Sequence, residues 1–354
     1  MSFLRPNILA SSGYVPGEQP VDPSVIKLNT NENPYPPSPK AMEAIAGVTA
    51  EQLRRYPSPQ GKLFREAAAK LHNLSPDWIL PFNGGDELLS VAIRAAAGEK
   101  DAVAYLEPSY SLYPVLTELQ GARAIKLQYQ IDGTSWRLPE GIENTSAAIL
   151  LIVNPNAPSG HLNSLERLSQ IATTFKGLLV IDEAYVDFAP THAIDLARKY
   201  PNVLILRTMS KGYSLAGLRF GYGIAQPSLF REIEKVRDSY PVDAISIAAA
   251  TAAILDQPYA RSTWEKVKSE RTRVSAALRG LGFVLPESHS NFVLATAPAG
   301  ITAKTLYETL KSRGILVRWW DLPRIADKLR ITIGTPDQNT RLLEQLSRIL
   351  QDPH

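Results

Sequence analysis

The chain has 354 residues, 44% of them hydrophobic, 21% charged and 8% aromatic, with 38 basic against 35 acidic residues and a formal charge of +3. That length exceeds what one hydrophobic core usually fills, and the composition fits no disordered, fibrous or membrane class. So small a basic excess, with no concentrated patch, gives no footing for nucleic acid; zero cysteines exclude disulfides, thiolate nucleophiles and cysteine-ligated zinc, which points to a cytoplasmic protein.

The first residues, Met1-Ser2-Phe3-Leu4-Arg5-Pro6, lack the apolar core of a secretory signal. No apolar run approaches the roughly 18 residues of a membrane span. Two triplets of glycosylation type, Asn73-Leu74-Ser75 and Asn144-Thr145-Ser146, match a pattern that recurs by chance. Residues 1–38 end in Asn31-Glu32-Asn33-Pro34-Tyr35-Pro36-Pro37, whose prolines neither continue a helix nor donate to a ladder; an extended arm packing with a smaller domain is expected. Helical periodicity follows near 62–72 and 86–97, then strands at 102–106 and 147–153, a helix near 164–175, and strands at 178–182 and 203–207. The later strands are apolar on both faces, and their alternation with helices predicts a mostly parallel sheet between helix layers, a large domain over 39–258. An amphipathic stretch near 259–280 opens a smaller α/β domain over 259–354, with strands near 283–285, 291–295, 315–318 and 329–333 and helices near 302–312 and 337–350.

In an open parallel sheet ligands gather beyond the carboxyl ends of the strands. Four such ends are distinctive: Gly84-Gly85-Asp86-Glu87, Asn154-Pro155-Asn156-Ala157-Pro158-Ser159-Gly160, Asp182-Glu183-Ala184-Tyr185 and Thr208-Met209-Ser210-Lys211. A lysine amine can condense with a carbonyl, a carboxylate can keep a pyridine nitrogen protonated, and a glycine turn opening a helix offers backbone N–H groups to a phosphate. Together they describe a site for a phosphorylated aromatic aldehyde. The histidines at 72, 161, 192, 289 and 354 show no metal-ligand spacing, and no Gly-x-Ser-x-Gly elbow occurs, so no metal is expected. Trp319-Trp320 read as packing between the domains.

The segment from Arg207 to Arg219, Arg-Thr-Met-Ser-Lys-Gly-Tyr-Ser-Leu-Ala-Gly-Leu-Arg, resembles the Schiff-base motif of the fold-type I PLP (pyridoxal 5′-phosphate) aminotransferases, and within them the histidinol-phosphate aminotransferase family. The resemblance spans nearly the whole chain. It implies PLP as cofactor, with Lys211 as the catalytic lysine. It also implies that Ser210, Arg219 and the turn at Gly85 and Asp86 hold the phosphate, that Asp182 faces the pyridine nitrogen, that Tyr185 faces the phenolic oxygen and that Tyr110 stacks on the ring. Tyr56 would reach the partner's phosphate, so a homodimer with shared active sites follows. Where the family has an asparagine bonded to the phenolic oxygen, this chain has Ala157; Asn156 would substitute, with Asn154 as the alternative.

For substrates, the resemblance implies transamination between L-histidinol phosphate and 2-oxoglutarate, giving imidazole acetol phosphate and glutamate, a histidine-biosynthetic step. Arg330 would take the carboxylate of the glutamate half-reaction and help with the phosphate of the other substrate, and Arg318 and Tyr14 would line the phosphate end. An aromatic amino acid aminotransferase, a phosphothreonine-type decarboxylase and a ligand sensor without catalysis are the alternative readings.

Overall fold

The computed structural model describes residues 3–351; Met1, Ser2, Asp352, Pro353 and His354, the ends of the expected arm and smaller domain, lie outside them. The strands in chain order are β1 Ile26–Lys27, β2 Ile79–Phe82, β3 Ala102–Glu107, β4 Arg123–Gln128, β5 Gln130–Asp132, β6 Ser135–Arg137, β7 Ile149–Val153, β8 Leu178–Asp182, β9 Val203–Thr208, β10 Gly221–Ile224, β11 Phe292–Thr296, β12 Ile315–Leu316 and β13 Lys328–Thr332. Seven of them form one sheet in the order β2-β10-β9-β8-β7-β3-β4, parallel except for β10, which runs antiparallel to both neighbours.

The apolar runs serve two cores at once. On β7, β8 and β9, Leu150, Ile152, Leu179, Ile181, Val203 and Ile205 pack on one face. Ile149, Leu151, Val153, Val180, Leu204 and Leu206 pack on the other. Side chains alternate across a strand, so a segment apolar at every position is what a sheet covered by helices on both faces requires. Truncating one of these fully buried leucines or isoleucines to alanine would cost about 2–5 kcal/mol.

Strand β10 escapes a propensity reading because two of its four residues are glycine. The reason is close approach. A Cβ on Gly221 would lie 2.8 Å from the backbone of Gly84 and Gly85, and one on Gly223 would lie 3.0 Å from Leu88. Bare backbone at β10 thus lets the helix Gly84–Ala96 settle against the sheet.

The smaller C-terminal elements pair β11 with β13 antiparallel, and the arm strand β1 lies parallel beside β12. The arm is not extended throughout: a helix at Pro6–Ala10 leads it, with Asn7 Nδ2 donating to Glu118 O at 2.7 Å and Ser11 Oγ to Glu118 Oε2 at 2.8 Å. Pro6 does not oppose this, because the first helical turn needs no N–H from it. The arm therefore touches both the large sheet's helices and the smaller strands. Likewise the expected boundary at 258/259 falls inside the first turn of the helix Gln257–Gly280, where Pro258 is tolerated for the same reason.

Candidate active site

The turn after β9 is held from below. Arg207, buried, donates through Nε to Glu183 Oε2 at 2.7 Å and lies 3.8 Å from Asp187. Gly212 abuts that ion cluster so closely that a Cβ would sit 2.1 Å from Asp187 Oδ2. Trp264 Nε1 donates to Gly212 O at 2.7 Å. Between these fixed points Lys211 enters a cavity of about 740 Å³, and its Nζ donates to Thr30 O of the arm at 2.9 Å. Burial, then the nearby Arg330 guanidinium, pulls the amine down to about 8, so a sizeable neutral, nucleophilic fraction exists near neutral pH.

Asp182, at the end of β8, is 3% exposed; its Oδ2 accepts from Tyr113 Oη at 2.9 Å and its Oδ1 from Ala184 N at 3.0 Å. Burial nevertheless pushes the carboxyl up to about 6. A carboxylate so placed gains from a cation arriving in the cavity, as a protonated pyridine nitrogen would be. Tyr113 escaped the sequence reading because it sits on the helix Leu112–Gln120 rather than at a strand end.

At the opposite corner the helix Gly84–Ala96 begins with no side-chain cap, and Gly84 adopts φ +82°. A Cβ there would lie 2.9 Å from Arg219 Nη2, so only glycine lets the guanidinium lie over the helix start. Arg219 Nη1 donates to Ser210 Oγ at 3.3 Å, and Arg219 Nη2 lies 3.4 Å from Asp86 Oδ2. An uncapped helix N-terminus, a hydroxyl and a guanidinium meeting over two glycines form a cradle that fits a phosphate. Tyr110 Oη donates to Asp86 Oδ1 at 3.0 Å, which fixes its ring over the cavity. Tyr185, 7% exposed, faces the same space with its hydroxyl accepting from Asn31 Nδ2 at 3.0 Å.

Another part of the cavity wall carries two guanidinium groups. Arg318 and Arg330 face each other on an antiparallel bridge, with N–O distances of 3.0 and 2.9 Å. Like charges directly opposite are destabilising, and among the described residues neither has a carboxylate partner. Trp320 lies against both, 5.3 Å from the Arg318 guanidinium and 5.0 Å from that of Arg330. Arg330 Nη2 donates to Asn29 O at 2.8 Å, while its Nε is buried without a partner. Tyr14 stands nearby, edge-on to Tyr110 at 6.2 Å. This wall is built for an anion. Trp320 is thus part of the cavity, where packing alone was expected of it.

Two expected residues lie elsewhere. Asn156 is fully buried with its amide spent on its own loop and the loop after β3: Oδ1 accepts from Ser109 Oγ at 3.0 Å, and Nδ2 donates to Ser159 Oγ at 2.9 Å and Pro108 O at 3.3 Å. Asn154 is buried and does not line the cavity, its Oδ1 accepting from Asn163 N at 2.7 Å. The methyl group of Ala157 lines the cavity instead, so neither asparagine replaces the missing amide: one step along the chain turns the side chain away from the cavity. Tyr56 is 81% exposed and stacks on Tyr240 at 4.5 Å, outside the cavity of its own chain.

Residues 23–346 match the family model of class I and II aminotransferases. A histidinol-phosphate aminotransferase of Trichormus variabilis is 46% identical over 352 residues, covering 99% of each chain, and one of Geotalea uraniireducens is 46% identical over 347 residues, covering 98% of this chain and 99% of its own. The crystal structure of the Sinorhizobium meliloti histidinol-phosphate aminotransferase in complex with pyridoxal 5′-phosphate superposes with a TM-score of 0.88 at 25% identity, over 100% of this chain and 99% of that one. The L-threonine-O-3-phosphate decarboxylase of Porphyromonas gingivalis shares the fold, with a TM-score of 0.78 at 20% identity over 93% of this chain and all of its own. With a lysine, a strand-end carboxylate and a phosphate cradle facing one cavity, the chain belongs to the class I and II aminotransferases and, within them, to the histidinol-phosphate aminotransferase family.

Proposed function

We propose that the chain is a PLP-dependent aminotransferase that exchanges an amino group between L-histidinol phosphate and 2-oxoglutarate. The observation that carries the substrate assignment is the Arg318–Arg330 pair: two guanidinium groups without carboxylate partners, lining the same cavity as Lys211, suit a dianionic phosphate on one substrate and the carboxylate of the other. Ser210, Arg219 and the helix start at Gly84 and Gly85 would hold the cofactor phosphate, Asp182 its ring nitrogen and Tyr185 its phenolic oxygen. When bound, PLP supplies an aldehyde for the lysine amine and a ring that withdraws electrons from the bonds to be broken. Lys211 Nζ then holds and delivers the proton that moves during the reaction, and its low basicity suits both directions of that transfer. Asp182 would supply a negative charge to the ring nitrogen, and Tyr113 and the Ala184 N–H hold its two oxygens in place. Arg318, Arg330 and Tyr14 orient the substrate's anionic end, with Trp320 behind the two arginines.

The same reading makes the protein a cytoplasmic homodimer with shared active sites. No helix among the described residues is long and apolar enough to cross a membrane. The exposed Tyr56–Tyr240 stack supports a second copy covering that surface, where Tyr56 would reach the neighbouring phosphate cradle. Glutamate formation from histidinol phosphate and 2-oxoglutarate, compared with phenylalanine as donor, tests the assignment. A higher kcat/KM for histidinol phosphate is expected. A preference for phenylalanine would favour an aromatic aminotransferase, and carbon dioxide release a decarboxylase.

A further inference from the structure

Three consecutive arm residues each touch a different functional side chain. Asn29 O accepts from Arg330 Nη2 at 2.8 Å, Thr30 O from Lys211 Nζ at 2.9 Å, and Asn31 Nδ2 donates to Tyr185 Oη at 3.0 Å. The segment is pinned by Leu28 N donating to Leu316 O at 2.7 Å and Thr332 N donating to Leu28 O at 3.0 Å. Asn31 is 2% exposed and adopts φ +57°, a left-handed conformation that asparagine accepts more readily than most side chains.

The direction of the last bond is set by its neighbours. Thr332 Oγ1 accepts from Asn31 N at 3.0 Å, and its own proton goes to Asn31 Oδ1 at 3.1 Å. That leaves Nδ2 facing Tyr185. A phenol has one proton and two lone pairs. With a lone pair filled by Asn31, and no protein acceptor for its proton among the described residues, Tyr185 has its proton free to point into the cavity.

We infer that Asn31 is a positioning residue of this active site: by donating to Tyr185 Oη it directs the Tyr185 proton at the cofactor's phenolic oxygen, so the arm helps set the pH at which the lysine-bound cofactor titrates. This rests on the proposed cofactor. It assigns to an arm residue, acting through Tyr185, part of the hydrogen bonding that Ala157 cannot supply. The other titratable and charged groups acting on Tyr185 are Arg330 from β13, Asp182 from β8, Tyr14 from the arm and Tyr110 from the loop after β3, with Lys211 in the same cavity. None of them changes when Asn31 is replaced.

The test is a pH titration of the visible absorption band of the PLP-loaded protein. Asn31→Gly keeps the left-handed backbone and removes the donor; Asn31→Asp keeps the shape and replaces the donor with an acceptor that draws the Tyr185 proton away. A donated hydrogen bond stabilises the deprotonated phenolic oxygen, so its loss raises the midpoint. Asn31→Gly should raise it by about half a unit to one unit, and Asn31→Asp by more. In a Tyr185→Phe background, Asn31→Gly should add no further shift, which separates the relay from a general loosening of the arm. If the glycine variant does not fold, Asn31→Asp carries the test together with the same change in the Tyr185→Phe background, where the new carboxylate's charge still acts and only the relay is lost. A visible band whose midpoint moves by less than about 0.2 unit in the variants, or a glycine shift undiminished in the Tyr185→Phe background, overturns the inference. Absence of any visible band in the parent protein with PLP would instead overturn the proposed function.

Discussion

Replacing Asp182 by asparagine should make the cofactor-free protein more stable and the loaded enzyme worse. The carboxyl titrates at about 6 in the fold against 3.8 ordinarily, a rise of about two units caused first by burial. A carboxyl whose folded pKa is raised destabilises the fold at pH above both values. The penalty fades as pH falls through about 6 and is gone below 3.8. It amounts to about 3 kcal/mol at pH 8 and about half that at pH 5. Asparagine escapes it while keeping the bond from Ala184 N, and its amide can donate to Tyr113, whose own proton then loses its acceptor at a cost of about 1 kcal/mol. The net gain is about 2 kcal/mol at pH 8, or roughly 3 °C in Tm for a chain of this size, and about a quarter of that at pH 5. Thermal unfolding of the cofactor-free parent and Asp182→Asn at both pH values measures it. With PLP the advantage is largely cancelled, because a charge-assisted contact of about 1.5–3 kcal/mol is lost, and cofactor affinity should fall about 10- to 150-fold. A variant less stable than its parent at pH 8, or a gain that does not change with pH, would refute the electrostatic account.

Arg318→Leu or Arg330→Leu should raise KM for histidinol phosphate about 10- to 150-fold, one charged hydrogen-bonding group being lost in each, as read from initial rates at fixed 2-oxoglutarate. Trp320→Leu removes the ring lying against both guanidiniums, each contact worth about 0.5–2 kcal/mol, so a smaller rise in the same KM with little change in kcat is expected; an equal fall in kcat would deny it the positioning role. The rate of loading apoprotein with PLP should climb with pH up to about 8 and then level, as the neutral amine of Lys211 becomes the dominant form; stopped-flow absorbance follows it.

Residues at strand ends were readable because an apolar strand and its polar terminus are adjacent in sequence. Asp182 follows Leu178–Ile181 directly, and Lys211 comes three residues after β9, so local pattern locates both. The same logic fails where function depends on a face rather than a position. Asn156 and Ala157 are neighbours, yet only the second lines the cavity. Edge strand β4, with exposed Arg123, Ala124, Lys126 and Gln128, carries no apolar run, and β10 hides behind its glycines. Trp320 looked like packing because its meaning lies in two arginines brought together by a bridge between Arg318 and Arg330. Asn31 has no local signature of its role, because the hydroxyl that orients it belongs to Thr332, 301 positions away.

That last separation bears on how the enzyme comes into being on the ribosome. Synthesis runs from the amino end and early segments fold first, so the large sheet can assemble while β12 and β13 are still unmade. During that interval the arm has no strand to lie beside, and the oxygen that will hold Lys211 Nζ has no fixed place. The amine falls to about 8 through burial and the Arg330 guanidinium of β13, so its lowered basicity is complete only once that last strand is in place.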